Sequence, residues 1–256
     1  MDTDKSVEIL KEPIEKLTIP LASQVGQTLS DAWELVFGGF STFVEKKRLI
    51  RQKNVESFKQ SLSRNIQSIP PECLQEPSFS IIGPALEASK FYFEEEEVRE
   101  LFSKLISNSM DNRYNDKIHV SYVEIIKQMT PLDAQNLTLF QKAPRLPLAS
   151  FRMRTTSNSY STLLPVVFLS NPKESNVEKQ AISISALERL GLLSSSFLEY
   201  PNSFPYDTFT NSEEYLFFKE EVGESLYCKE GIVSLTPLGA SFINVCFPPL
   251  PQLIVG

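Results

Sequence analysis

The chain has a single histidine, a single tryptophan, three cysteines and nine glycines among its 256 residues. With one histidine, His119, chemistry that needs two imidazoles is excluded, and a metal site would have to be built from carboxylates and thiolates. Cys73, Cys228 and Cys246 are odd in number, far apart and show no CxxC spacing, so neither a disulfide framework nor a zinc ribbon is expected. No GxSxG elbow and no G-x-x-x-x-G-K loop occurs, which leaves serine-hydrolase and P-loop readings without support. No cofactor and no metal is expected. The start, from Met1 to Lys5, lacks the basic and apolar regions of a signal peptide. Reduced thiols and this start together predict a cytoplasmic protein.

Long uncharged apolar runs are absent too. The nearest, Val25 to Val44, is interrupted by Asp31 and Glu34, each costing about 2.5–3.5 kcal/mol at a bilayer centre. A net charge of −7 opposes bulk attraction to nucleic acid, whose binding rests on phosphate neutralisation. Apolar residues at 41% and charged ones at 22% are nonetheless ordinary, so a folded chain with a sizeable core is expected.

The first 142 residues read as helices. Val7, Leu10, Ile14 and Leu17 fall at helical spacing, and Pro20 marks a break. Leu21, Val25, Leu29, Trp33, Val36, Phe40 and Phe43 form a second stripe, containing Gly38-Gly39, and Val55, Phe58, Leu62, Ile66 and Ile69 a third. Gly83-Pro84 is expected to open a short helix. The run Glu94 to Glu97 suits the positive end of a helix dipole, and Val98, Leu101, Phe102, Leu105 and Ile106 make the buried face behind it. Thr130-Pro131 with Asp133 signals another helix start.

Residues 143–175, Pro-punctuated and rich in Ser and Thr, read as a connection carrying one or two strands. From 176 to 247 the pattern suggests a small winged-helix-like domain. It consists of a helix over Ser183 to Leu190 stopped at Gly191, a hairpin between Tyr215 and Leu235, and a closing helix capped by Thr236-Pro237. Residues 248–256 read as a Pro-rich tail. The expected fold class is mainly α: an N-terminal helical bundle followed by a winged-helix-like α+β domain.

Three segments carry a resemblance. Gly83-Pro84-Ala85-Leu86-Glu87-Ala88 stands as "GPALEA", and Glu97 to Phe102 with Leu105, Ser109, Met110 and Asp111 resembles "LRELFANLLASSMD". His119 to Pro131 is similar to "HPSFVEIIKQLSP", with Val120 in place of the usual proline. These are segments of the Abi-alpha (abortive-infection alpha) family, which the chain resembles most strongly over residues 83–140. The resemblance implies a bacterial phage-defence protein and names no biochemical activity.

Two constellations could carry function. Arg113 and His119, separated by five residues, resemble the arginine–histidine motif of HEPN ribonucleases, with Tyr114 where a polar residue usually follows the arginine. In such a site the arginine would stabilise phosphate charge and the histidine would assist attack by the 2′-hydroxyl. The alternative, preferred here, makes His119 a capping or packing residue before a helix, with no catalytic residues and action through protein contacts as sensor, adaptor or effector. The second constellation joins the aromatic end of Trp33–Phe43 to Lys46, Lys47, Arg48, Arg51 and Lys53, and residues 33–53 could lie on a membrane surface. A bundle helix accounts for the same pattern and is preferred.

Between Asn176 and Cys246 four basic residues stand against ten acidic ones, a balance of −6. A protein partner or self-association is therefore expected there and duplex DNA is disfavoured, while RNA enters only with the ribonuclease alternative.

Overall fold

The computed structural model describes residues 20–37, 45–92, 94–156, 159–201 and 203–249. The helix expected around Val7 to Leu17, the Gly38-Gly39 pair, Phe40 and Phe43 lie outside these residues. The chain divides into two compact units, 1–131 with 244–256, and 132–243.

The described part of the first unit is helical: α1 (Pro20–Phe37), α2 (Glu45–Gln67), α3 (Phe79–Ser89), α4 (Glu96–Ser109) and α5 (Ser121–Lys127), with short 3-10 turns at Pro71–Cys73 and Asn112–Tyr114. Where their burial is described, the stripes read from the sequence fall mostly on buried faces. Leu29, Trp33 and Val36 of α1 and Phe58, Leu62 and Ile66 of α2 are all under 9% exposed, and the rings of Trp33 and Phe58 stack at 5.9 Å. Burying one such aromatic is worth about 1.5–3 kcal/mol.

On α4 the five apolar positions from Val98 to Ile106 are buried, with Glu96 and Glu97 in the first turn, where the dipole favours them. A polar seam joins α2 to α4. Ser61 donates to Glu100 Oε2 at 2.5 Å, Asn65 Nδ2 to Ser103 Oγ at 3.0 Å, and Ser103 to Ser61 at 3.1 Å. Helix α3 begins at Phe79, so Pro84 sits inside it and not at its opening. That forfeits one helical hydrogen bond, while Ile81, Ile82, Ala85 and Leu86 stay buried.

The second unit contains α6 (Pro131–Phe140), β1 (Arg145–Thr156), β2 (Ser159–Val167), α7 (Val177–Arg189), β3 (Leu193–Ser196), α8 (Asp207–Thr210), α9 (Glu213–Val222), β4 (Leu226–Leu235) and α10 (Pro237–Cys246), whose last residues from Asn244 belong to the first unit. The strands form one antiparallel sheet in the order β2-β1-β4-β3. Among the described residues ten α-helices accompany this sheet.

The fold is therefore mixed α+β, which corrects the expectation of a mainly α chain with a winged-helix-like end. Two local effects explain the difference. Residues 215–222 are helical, not half of a hairpin: Ser212 caps them by accepting from Tyr215 N, and Tyr215 and Phe218, three apart, pack together on the core around Phe151. Aromatic content suggested a strand, but the spacing of the half-buried rings has the helical period.

The hairpin lies instead at 145–167, within the stretch expected to carry one or two strands. Pro165 falls on edge strand β2 beside a register shift, a position that tolerates a missing N–H. Pro147 pairs with Ile232 beyond the end of β2, which stops at Val167 opposite Ala149. Helix α7 also starts earlier than Ser183. Asn176 caps it through Lys179 N at 2.9 Å, Ser183 is buried mid-helix, and Gly191 ends it at φ +74°.

Candidate functional site

Arg113 and His119 flank the loop between α4 and α5. Asp111 accepts from Arg113 N at 3.0 Å, which caps the Asn112–Tyr114 turn. Its carboxylate also takes the guanidinium: Nε lies 2.9 and 3.1 Å from the two oxygens, and Nη2 lies 2.5 Å from Oδ2. Burial pushes the Asp111 carboxyl up, but the hydrogen bonds and charge of Arg113 outweigh it and hold the pKa below the ordinary carboxylate value. The pairing with Asp111 in turn raises that of Arg113.

His119 is exposed and engaged locally. Its Nδ1 lies 2.7 Å from Ser121 Oγ and accepts from Ser121 N at 3.2 Å, its carbonyl accepts from Tyr122 N, and its ring lies 6.2 Å from that of Tyr122. The imidazole thus takes up the N–H of Ser121 at the start of α5. No hydrogen bond or ion pair is recorded between Arg113 and His119.

The loop between them walls an open depression of about 450 Å³, lined also by Gln75, Glu76, Ser78 and Ile81; neither Arg113 nor His119 lines it. Asn115 and Gln75, a mutually hydrogen-bonded amide pair, stand at its rim. Glu76 is the one charged residue of the lining. Such a wall offers hydrogen bonds but no acid–base pair.

The polybasic part of residues 33–53 is helical in α2 from Glu45 onward, and residues 38–44 lie outside the description. Lys53 is exposed, Trp33 and Val36 face the core, and among the described residues no helix is long and apolar enough to cross a membrane. No group of three or more His, Cys, Asp or Glu converges to hold a metal among the described residues.

A second candidate surface, which sequence reasoning missed, lies on the sheet. Cross-strand partners share a face, as do residues two apart on one strand. Arg152 opposes Tyr227 and Thr162, Arg154 opposes Tyr160, and Ser150 opposes Lys229. These residues therefore stand on one face, which is covered at Ser150 and opens towards Arg154, Tyr160 and Tyr227, while Phe151, Ala149 and Cys228 point to the core on the other.

Each cation on the open face meets a ring: Arg152 over Phe197 at 5.6 Å, Arg154 over Tyr160 at 6.0 Å, and Lys229 over Tyr200 at 5.6 Å. Tyr160 and Tyr227 add a ring pair at 5.8 Å. Gly231 admits Phe197 to the sheet, because a Cβ there would lie 2.6 Å from both the Phe197 ring and the Ser196 carbonyl oxygen. The signal available in the sequence was an acid-free stretch: Ala134 to Lys173 contains Lys142, Arg145, Arg152, Arg154 and Lys173 and not one Asp or Glu. Charge counted over 176–246 excluded it.

Compared with known proteins, residues 50–246 match the family model described as abortive infection alpha. No curated protein and no solved structure matches the chain.

Proposed function

We propose a binding role in phage defence for this chain, which belongs to the abortive infection alpha family. It works without catalysis, through contacts with a protein partner, and Arg113 and His119 serve the loop that carries the family's central motifs. The observation that carries this reading is the clamp on Asp111. Nε and Nη2 of Arg113 are both committed to a carboxylate whose side chain is 1% exposed, which leaves a phosphate only the outer edge of the guanidinium. A ribonuclease mechanism that used the Nε–Nη2 fork would require Arg113 to leave that carboxylate buried and unpaired, which is strongly unfavourable.

The protein-contact part of the reading is supported by α9, where Leu216 and Phe217 are 51% and 59% exposed among Glu213, Glu214, Glu220 and Glu221. An apolar pair ringed by charge suits a protein rim better than an anionic lipid surface.

The test is phage challenge of cells expressing the wild type, Arg113→Gln and His119→Ala, with total RNA and the melting temperature followed in parallel. Protection should fall only as far as stability falls, with cellular RNA intact. A His119→Ala protein as stable as wild type that loses all protection, in cells whose RNA the wild type cleaves, would establish the ribonuclease in its place.

A further inference from the structure

We propose that the open face of the β2-β1-β4 strands is a binding platform for single-stranded RNA. This inference concerns the second unit and does not rest on the roles given to Arg113 and His119.

The geometry supplies both elements that an unpaired strand needs, ring faces for bases and cations for phosphates. Tyr160 and Tyr227 are 47% and 39% exposed, well above what a sheet residue covered by a neighbouring layer would retain, and Tyr200, beyond the end of β3, is 51% exposed. Arg152, Arg154 and Lys229 have no carboxylate within ion-pair distance among the described residues, although the chain as a whole is acidic. Stacking on Phe197, Tyr160 and Tyr200 instead holds each cation along the face, where a guanidinium plane can itself take a base.

Charge and shape select the occupant. An acidic peptide would use the cations and leave the tyrosine faces without a role. A duplex hides its base faces and needs more phosphate contacts than three cations provide. Hydroxyls favour RNA over DNA: Thr162 shares this face with Arg152, and Thr156 pairs with Ser159 at the strand ends, so donors and acceptors for a 2′-hydroxyl line the path.

Fluorescence anisotropy with the full chain tests this, using a labelled mixed-sequence RNA of about 12 nucleotides, a length within the usual range for one such surface. The DNA of the same sequence, the annealed RNA duplex and a poly-glutamate peptide serve as competitors. The expected result is binding of the RNA with a salt slope near −2, from about three phosphate contacts at ~0.7 each. The competitors should be at least about tenfold weaker. Tyr160→Ala with Tyr227→Ala should weaken binding roughly a hundredfold, about tenfold for each lost stack, whereas Tyr160→Phe, which keeps the ring, should bind as wild type.

Arg154 is exposed and lies at the sheet margin, so Arg154→Gln should fold normally and still lose several-fold affinity. It carries the test if the double alanine variant does not fold. Absence of RNA binding by the wild type, equal or tighter binding of the DNA, duplex or peptide, or full RNA affinity in folded Arg154→Gln would each overturn the proposal.

Discussion

Asp111 and Arg113 form a forked ion pair in which one carboxylate, nearly removed from solvent, takes four hydrogen bonds from three donor atoms of a residue two positions away. The backbone donor belongs to Arg113 itself, so the contact shapes the turn as well as neutralising the charge. Beside it, Leu74 and Asp111 make an isolated bridge and Gln75 N donates to Met110 O at 2.8 Å. The loop of the family motifs is thereby tied to the segment before α3.

A pH dependence follows from that pair. The Asp111 pKa lies below its ordinary value in the folded protein, so its contribution to stability is present above the unfolded value of about 3.9 and is lost as pH falls through the folded one. In Arg113→Ala the guanidinium is gone and burial is opposed only by the backbone N–H at that position and the charge of Lys104, so the carboxylate contributes less to stability at neutral pH. Melting temperatures of the two proteins should differ most at pH 7 and converge below about pH 4, near that reference value. A gap that stays constant down to pH 3.5 would show that Arg113 acts without Asp111.

The second unit depends on a buried polar cluster. Asn136, fully buried, donates to Gln180 Oε1 and Ser183 Oγ, both at 2.9 Å, and accepts from Asn171 Nδ2 at 2.7 Å. Ser183 donates onward to Asp133 at 2.5 Å. Every polar atom of the Asn136 side chain is used, so Asn136→Leu orphans several buried groups at ~1–3 kcal/mol each. A loss of roughly 2–4 kcal/mol in urea unfolding is expected by the same reckoning. Stability within about 0.5 kcal/mol of wild type would mean that the cluster contributes little net.

The three thiols should separate by reactivity. Burial, with help from Glu230, pushes the Cys228 thiol up to about 11, and burial alone raises Cys246 well above the ordinary range. Only the thiolate alkylates, so at pH 8 about one Cys228 in a thousand is reactive. Brief iodoacetamide treatment of the native protein, read by mass spectrometry, should modify half-buried Cys73 first and spare Cys246. Cys228 should follow only as pH approaches 11. Equal labelling of Cys73 and Cys228 at pH 7.5 would contradict the burial of Cys228 against Phe151 and Tyr215.

How much could be read in advance differs between the two units. Helical faces declare themselves by spacing along one segment: Leu29, Trp33 and Val36, or Val98 through Ile106, are buried where their intervals place them. Strands were expected within 143–175 and up to Leu235, but their pairing into one sheet has no such local record. Each of its strands is a separate stretch, and Pro147, Pro165 and the serines between them mimic a linker until β4 arrives some eighty residues later to pair with β1.

Family membership and the helical faces of the first unit were thus legible in the order of residues alone, because each depends on neighbours within a few turns of chain. Tertiary structure decided the rest. It turned residues 215–222 into a helix, since their rings had a core around Phe151 to fill. It brought Arg152, Arg154, Tyr160, Tyr227 and Lys229, drawn from three strands, onto one face. It also put Arg113 onto Asp111. Strand register and the partner of a long side chain are set by which distant surface is available, and spacing along the chain does not contain that information.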